Sequence, residues 1–324
     1  MKSIWREILM AIAMGFILPG IVANWAVEEP ETVPRETVSV PEQEETQPRI
    51  RLDMLLRRKD GTTAQQDMDE YLVGVVLAEM PASFHEQAKM AQAVVARTFA
   101  LKAYRTGGKH GDGSVCADSG CCQAYISESQ FLARGGSRAD VDNARAAVYA
   151  TSGYVLTYEG KLIEATYFSC SGGSTEDAVA VWGTDFPYLR ATDSPGEEYA
   201  VHYTDTLEFT RQELETALGI DLTGSPKTWI GTATYTAGEG VNTLMLGGKE
   251  WKGTELRSKL GLRSTAFTWE AKEDTLEFTT RGFGHRVGMS QYGADAMAMG
   301  GSTWQEILAH YYKGTTLELT NSGA

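Results

Sequence analysis

The strongest pattern along the chain is its first one, an uncharged apolar run from Ile8 to Val27 preceded by Lys2 and Arg6. Roughly twenty residues at helical rise match the ~30 Å hydrocarbon core of a bilayer. Basic residues before the run and none just after it predict a membrane anchor with a cytoplasmic N-terminus and an extracytoplasmic body. The rival is a cleaved signal peptide, with a shorter apolar core and a small-x-small site; no such triplet follows Leu18. From Glu28 to Pro48 the apolar pattern vanishes, leaving seven Glu and four Pro with Val as the only large apolar type. Such a segment buries too little surface to fold and predicts an extended, self-repelling linker. The chain therefore divides into residues 1–27 (tip and transmembrane helix), 28–48 (acidic linker) and 49–324 (folded body).

Within the body the periods change repeatedly. Arg51 to Arg57 followed by Lys59-Asp-Gly61 predicts a strand and turn. Asp67 to Met80 has a helical pattern stopped by Pro81, which pushes the preceding residue out of the α region. A second helix is predicted from about His85 to Tyr104, closed by Gly107-Gly108. Lys109 to Gly120 is a loop dense in Gly, Ser and Asp, and Ala139 to Ala150 is a short helix. Tyr154 to Tyr158 and Leu162 to Phe168, joined at Glu159-Gly160, predict a hairpin. Thr228 to Thr280 alternates β-rich runs with turns. A helix follows Gly288 and ends at Gly300-Gly301, and Ser302 with Gln305 predicts a capping box for a last helix ending near Tyr312. Helices mixed with antiparallel strands place the fold in the α+β class, in a two-lobed body.

Composition adds two constraints. With 42% hydrophobic residues the body can bury a sizeable core. A formal charge of −14 argues against nucleic acid as a partner.

Three groups carry candidate chemistry. Glu79 stands at the end of an apolar helix, where the dipole and the neighbours Val75, Val76 and Met80 both disfavour the carboxylate. A carboxyl kept protonated near neutral pH is what a general acid for glycosidic cleavage needs. His110, Cys116, Cys121 and Cys122 share the Gly-rich loop. Outside the cytoplasm cysteines usually form disulfides, yet the His-x5-Cys-x5-Cys spacing also suits three zinc ligands with one open position, and both readings stay open. Third, Arg281 to Gly293 interleaves glycines with His285, Ser290, Gln291 and Tyr292, as expected of a loop running into a helix beside a cleft. Ser169 to Gly173 repeats that signal more weakly, and Cys170 with His285 is a second nucleophile reading.

Taken together, Glu79-Met-Pro-Ala, Ala91-Gln-Ala-Val-Val-Ala-Arg-Thr98, Cys122-Gln-Ala-Tyr125, Ser169-x-Ser-Gly-Gly173 with Thr175-Glu176, and Gly284-His285 through Val287-Gly-Met-Ser-Gln-Tyr-Gly-Ala294 resemble the stage II sporulation protein D family, which includes the amidase-enhancer domain. The resemblance covers about Asp69 to the C-terminus. It implies a lytic transglycosylase acting in sporulation engulfment on peptidoglycan glycan strands stripped of peptides, with Glu79 as the catalytic residue. It implies a cleft lined by Arg97, Gln123, Ser169, Ser171, His285, Ser290, Gln291 and Tyr292. It further implies zinc (Zn2+) held by His110, Cys116 and Cys122, with Cys121 an extra thiol. The implied location is the mother-cell membrane facing the forespore, with stage II sporulation proteins P and M as partners. Arg286 departs from the pattern, since many relatives carry glycine there. Two other classes compete: a non-catalytic glycan-binding or amidase-stimulating module, and a metallohydrolase that would need an open metal position.

Overall fold

The computed structural model describes residues 51–320. The expected anchor and linker lie outside the described residues; among the described residues no helix is long and apolar enough to cross a membrane. All described residues belong to one compact unit, Gln47–Ala324.

The chain enters through β1 (Asp53–Arg57) and β2 (Thr63–Asp67), antiparallel neighbours of one sheet. Asp67 ends β2 and caps α1 (Met68–Glu79), its side chain accepting from Glu70 N. Helix α1 is apolar on nearly every face, and such a helix must be buried; from Met68 to Val76 every residue but Glu70 is buried. Met80 turns extended (ψ 130°) before Pro81. Helix α2 (Glu86–Thr106) is capped by His85, whose ring accepts from Gln87 N, and stops at Gly107 with φ +89°. The following loop returns through β3 (Ser114–Cys116), which pairs parallel to β1. Next come α3 (Glu128–Ala133) and α4 (Arg138–Ala150), each opened by a capping box. Helix α2 is the hub: α1, α4 and the two last helices of the chain pack around it.

The hairpin of β4 (Tyr154–Tyr158) and β5 (Lys161–Leu162) forms across Glu159 and Gly160, both at positive φ. It is shorter than the sequence predicts. The expected second strand breaks after Leu162, and its end, β6 (Tyr167–Phe168), pairs instead with a strand more than a hundred residues later. Short pieces follow, β7 (Gly173–Ser174), α5 (Ala178–Trp182) and β8 (Asp193–Ser194).

Residues 204–281 then build a second hydrophobic cluster. β9 (Thr204–Thr210), α6 (Arg211–Leu218), β10 (Ile230–Tyr235), β11 (Val241–Leu246), β12 (Lys249–Lys252), α7 (Gly253–Leu260), β13 (Phe267–Ala271) and β14 (Thr275–Arg281) form two three-stranded antiparallel sheets, β10-β11-β12 and β13-β14-β9. Trp251, Leu244, Leu256, Leu276 and Phe278 fill their core. The chain then rejoins the first cluster through β15 (Met289–Ser290), the parallel partner of β6, and enters α8 (Gln291–Met299). Helix α9 (Trp304–Tyr311) follows, and β16 (Thr316–Leu319) pairs with β4. The box capping α9 is Thr303 with Glu306, one residue beyond the predicted Ser302 and Gln305. A tertiary contact accompanies the later register: Gln87 accepts from Trp304 N at 2.9 Å. The mixed α+β class holds, with two hydrophobic clusters inside one unit.

Candidate active site

Glu79 is the last residue of α1, and its carboxylate collects groups from three separate parts of the chain. Oε1 accepts from Ala124 N (2.7 Å) and from the Tyr167 hydroxyl (3.2 Å), while Oε2 accepts from Gln291 Nε2 (3.3 Å). Burial raises the Glu79 pKa above the usual carboxylate value, and these three donors partly offset that rise. The group is half-buried and lines a cavity of about 650 Å³ together with Gln123, Ser169 and His285.

Glycine makes this convergence physically feasible. A Cβ on Gly74 would lie 2.4 Å from the Tyr125 ring and 2.5 Å from the Ile126 carbonyl. Without one, Ile126 N reaches Gly74 O (3.2 Å), Tyr125 stacks on Tyr71 (5.3 Å), and Ala124 N meets Glu79. A Cβ on Gly288 would sit 2.1 Å from Thr166 O, so glycine also lets β15 approach β6 and bring Gln291 beside Tyr167.

Tyr167 has one hydroxyl proton and two acceptors, Glu79 Oε1 and Gln123 Oε1 (3.1 Å). Burial, reinforced by the Glu79 charge, holds its pKa far above the usual tyrosine value, so it remains a donor. His285 accepts from Val287 N at Nδ1 (3.1 Å), which leaves the proton on Nε2. Burial, with Arg257 adding to it, pushes the His285 pKa down to about 4, and the ring is neutral at pH 7. It lies between Phe168 and the exposed Trp182, ring centroids 5.6 and 5.2 Å away.

Several expected cleft residues do other work. Arg97 is fully buried: it pairs with Asp69 (3.0 Å) and donates to the carbonyls of Val148, Thr151 and Tyr154 at the end of α4 and the start of β4. It is a structural pin, because an unpaired guanidinium could not be buried there. Ser171 is buried against Glu197, which accepts from Ser171 N (2.6 Å) and its hydroxyl (3.0 Å). Ser290 caps α8 through Gly293 N (3.1 Å), and Tyr292 packs edge-on against Phe84 and Tyr199. None of these four lines the cavity. Cys170 Sγ faces the His202 carbonyl (3.7 Å), and burial raises its pKa to about 12, which removes it as a nucleophile beside His285.

Sequence reasoning missed Tyr167, the Ala124 N–H and a second carboxylate on the cavity, Glu164, which is ion-paired with Lys102. It also left Arg286 unexplained. Arg286 has φ +65°, a backbone region natural for glycine and costing other residues about 1–2 kcal/mol. Its buried guanidinium offsets this by bonding Ser171 O (2.8 Å), Ser174 O (2.7 Å), Gly238 O (2.7 Å) and Glu176 (3.1 Å).

The loop after α2 gathers His110, Cys116, Cys121 and Cys122, with their donor atoms all within 4.8 Å of one another. His110 Nε2 is 3.7 Å from Cys121 Sγ and 3.6 Å from Cys122 Sγ, and the two sulfurs are 3.9 Å apart. Zinc–sulfur bonds of about 2.3 Å in a tetrahedron put sulfurs ~3.8 Å apart, so the donor set fits a metal ion. All four cysteines are free thiols, and Cys121 does not stand apart as an extra thiol: its sulfur lies in the same cluster as His110, Cys116 and Cys122. Cys122 also lines the cavity, one residue before Gln123.

Residues 57–158 match the family described as Stage II sporulation protein. The chain is 40% identical over 259 residues to stage II sporulation protein D of Bacillus amyloliquefaciens, covering 79% of this chain and 75% of the relative. Against stage II sporulation protein D of Bacillus subtilis it is 40% identical over 255 residues, 77% of this chain and 74% of the relative. An amidase enhancer of Bacillus subtilis is 32% identical over 76% of this chain but only 40% of its own length. This chain belongs to the stage II sporulation protein D family.

Proposed function

We propose that this protein is a lytic transglycosylase that cleaves peptide-free glycan strands of peptidoglycan during sporulation engulfment. The observation that carries the reading is Glu79, a half-buried carboxyl with a raised pKa, three convergent donors and a roomy cavity beside it. Protonated Glu79 gives its proton to the glycosidic oxygen as the C1–O bond breaks. Oε2 is the oxygen that carries this proton in this reading, because it accepts from one donor, Gln291, whereas Oε1 accepts from two. The carboxylate then takes the proton of the sugar's own 6-hydroxyl, whose oxygen attacks C1. The product is a 1,6-anhydromuramyl end, and no water is consumed. Ala124 and Tyr167 hold Oε1 still through both steps. Trp182, with neutral His285 behind it, offers an apolar face for a sugar ring.

Zinc fits the loop as a structural ion. His110, Cys116, Cys121 and Cys122 would together fill a four-donor set around a bound ion, the pattern of structural rather than catalytic sites, which counts against the metallohydrolase reading. When bound, zinc would fix the loop whose exit carries Cys122, Gln123 and Ala124 to Glu79. The remaining proposals come from the sequence and the family resemblance: an anchor at Ile8–Val27 in the mother-cell membrane, the linker at 28–48, an extracytoplasmic catalytic body at 49–324 facing the forespore, and stage II sporulation proteins P and M as partners.

Glu164 favours one second reading, hydrolysis with two carboxylates. Mass analysis of the products separates the readings. Anhydro ends support the transglycosylase, reducing ends the hydrolase, and intact strands a binding module.

A further inference from the structure

The charges around the cavity are unevenly compensated. Glu164 is neutralised by Lys102, and His285 is neutral. Lys109 lines the cavity, is exposed, and donates to the Cys121 carbonyl. An ammonium has three donors, so two remain after that bond. Among the described residues Lys109 has no carboxylate partner, which makes it the one uncompensated cation of the cavity wall. The chain as a whole is strongly acidic at −14, and its field opposes an approaching anion. An anionic substrate therefore needs a local positive contact.

We propose that Lys109 binds the free lactyl carboxylate of a muramic acid residue and so selects strands from which the peptide has been removed. The inference rests on the glycan-cleaving reading above. In an intact strand the lactyl carboxyl is tied up in the amide bond to the peptide, so it has no charge and carries bulk at that point. Hydrolysis of the amide exposes a carboxylate that Lys109 can pair with. The contact is a selectivity contact and takes no part in bond breaking.

The test measures binding, so turnover does not enter. The full-length protein carrying Glu79→Gln is titrated with two tetrasaccharides of alternating N-acetylglucosamine and N-acetylmuramic acid. One has free lactyl carboxylates; in the other they are reduced to alcohols. The carboxylate form should bind about tenfold more tightly, the low end for a hydrogen bond to a charged group at an exposed site. Adding Lys109→Met should bring the ratio of the two dissociation constants to about one, and Lys109→Arg should restore most of it. Equal binding of the two sugars by the parent, or binding of neither, overturns the proposal. A Lys109→Met protein that loses both sugars equally also overturns it, because Lys109 would then act only by holding Cys121. Cleavage by the wild-type enzyme is scored separately, so a failed Lys109 contact does not count against Glu79.

Discussion

The two hydrophobic clusters solve the burial problem differently. In the region of residues 204–281 the core is almost wholly apolar, with Trp251 and a set of leucines and phenylalanines between two small sheets. The rest of the body instead buries Asp69 with Arg97 on α2, Glu197 against Ser171 and Ser194, and Glu176 with Arg286 where it meets residues 236–240. It also holds Glu79. Buried charges are costly and direction-dependent, so they survive only where every partner is in place. The difference teaches where this fold depends on precise placement: buried polar pairs fix the elements that carry the cavity, while the other cluster relies on packing.

The largest expected effect is catalytic and confined to the first region. Glu79→Ala should lower turnover of peptide-free glycan at least about a thousandfold, given the 10²–10⁴ typical of general acid–base groups and its proposed double role. Its thermal unfolding should stay cooperative. Wild-type turnover by that folded variant would remove Glu79 from the mechanism.

Next comes stability, where the two clusters should respond oppositely to paired repair. Arg97→Ala strands Asp69 and should cost about 3–5 kcal/mol, and Trp251→Ala should cost about the same by leaving a cavity. Adding Asp69→Leu to Arg97→Met should recover much of the first loss, whereas no single partner change repairs the second. Denaturant titration of the four proteins checks this, and a Arg97→Ala protein with native stability but poor substrate binding would return Arg97 to the cleft.

Gly74→Ala should be milder in stability, about 1–3 kcal/mol of overpacking, but it strikes the site. The new methyl must push away the segment that carries Ala124 N. Losing that donor disfavours the carboxylate, so the Glu79 pKa should rise further and the alkaline limb of the pH–rate profile should move up. An unchanged profile with reduced stability would mean that the segment shifts without leaving Glu79.

The last effect is on the pH dependence of stability. His285 has a folded pKa near 4 against an ordinary 6.5, so the folded state binds fewer protons between those values. Its contribution is complete above about 6.5 and is lost as pH falls toward 4. Glu79, raised above 4.5, acts with the other sign: its contribution is present at low pH and lost as pH rises through its folded pKa. Melting temperatures of His285→Gln should therefore fall less than wild type between pH 6.5 and 4. Parallel curves would show that the ring is solvated.

Much of this protein is determined by local sequence. Pro81 and Gly107 end their helices locally, Asp67 caps α1 because its short side chain reaches forward to Glu70 N, and the β4 hairpin turns at Glu159-Gly160 because Gly160 takes positive φ freely. The position of Glu79 at a helix end is likewise a local fact, and so is the spacing of His110, Cys116 and Cys122. What local pattern cannot carry is partnership. Tyr167 looks like one more strand residue until parallel pairing with Met289 sets it beside Glu79. Arg97 and Gln123 carry similar motif signals, yet one pins a helix and the other lines the cavity, because only the packing of α1, α2 and α4 decides which guanidinium or amide can find partners in the interior. Cys121 joins the cluster of His110, Cys116 and Cys122 for the same reason: hydrogen bonds and ligand sets are completed across the fold, between residues whose partnership the local pattern does not show.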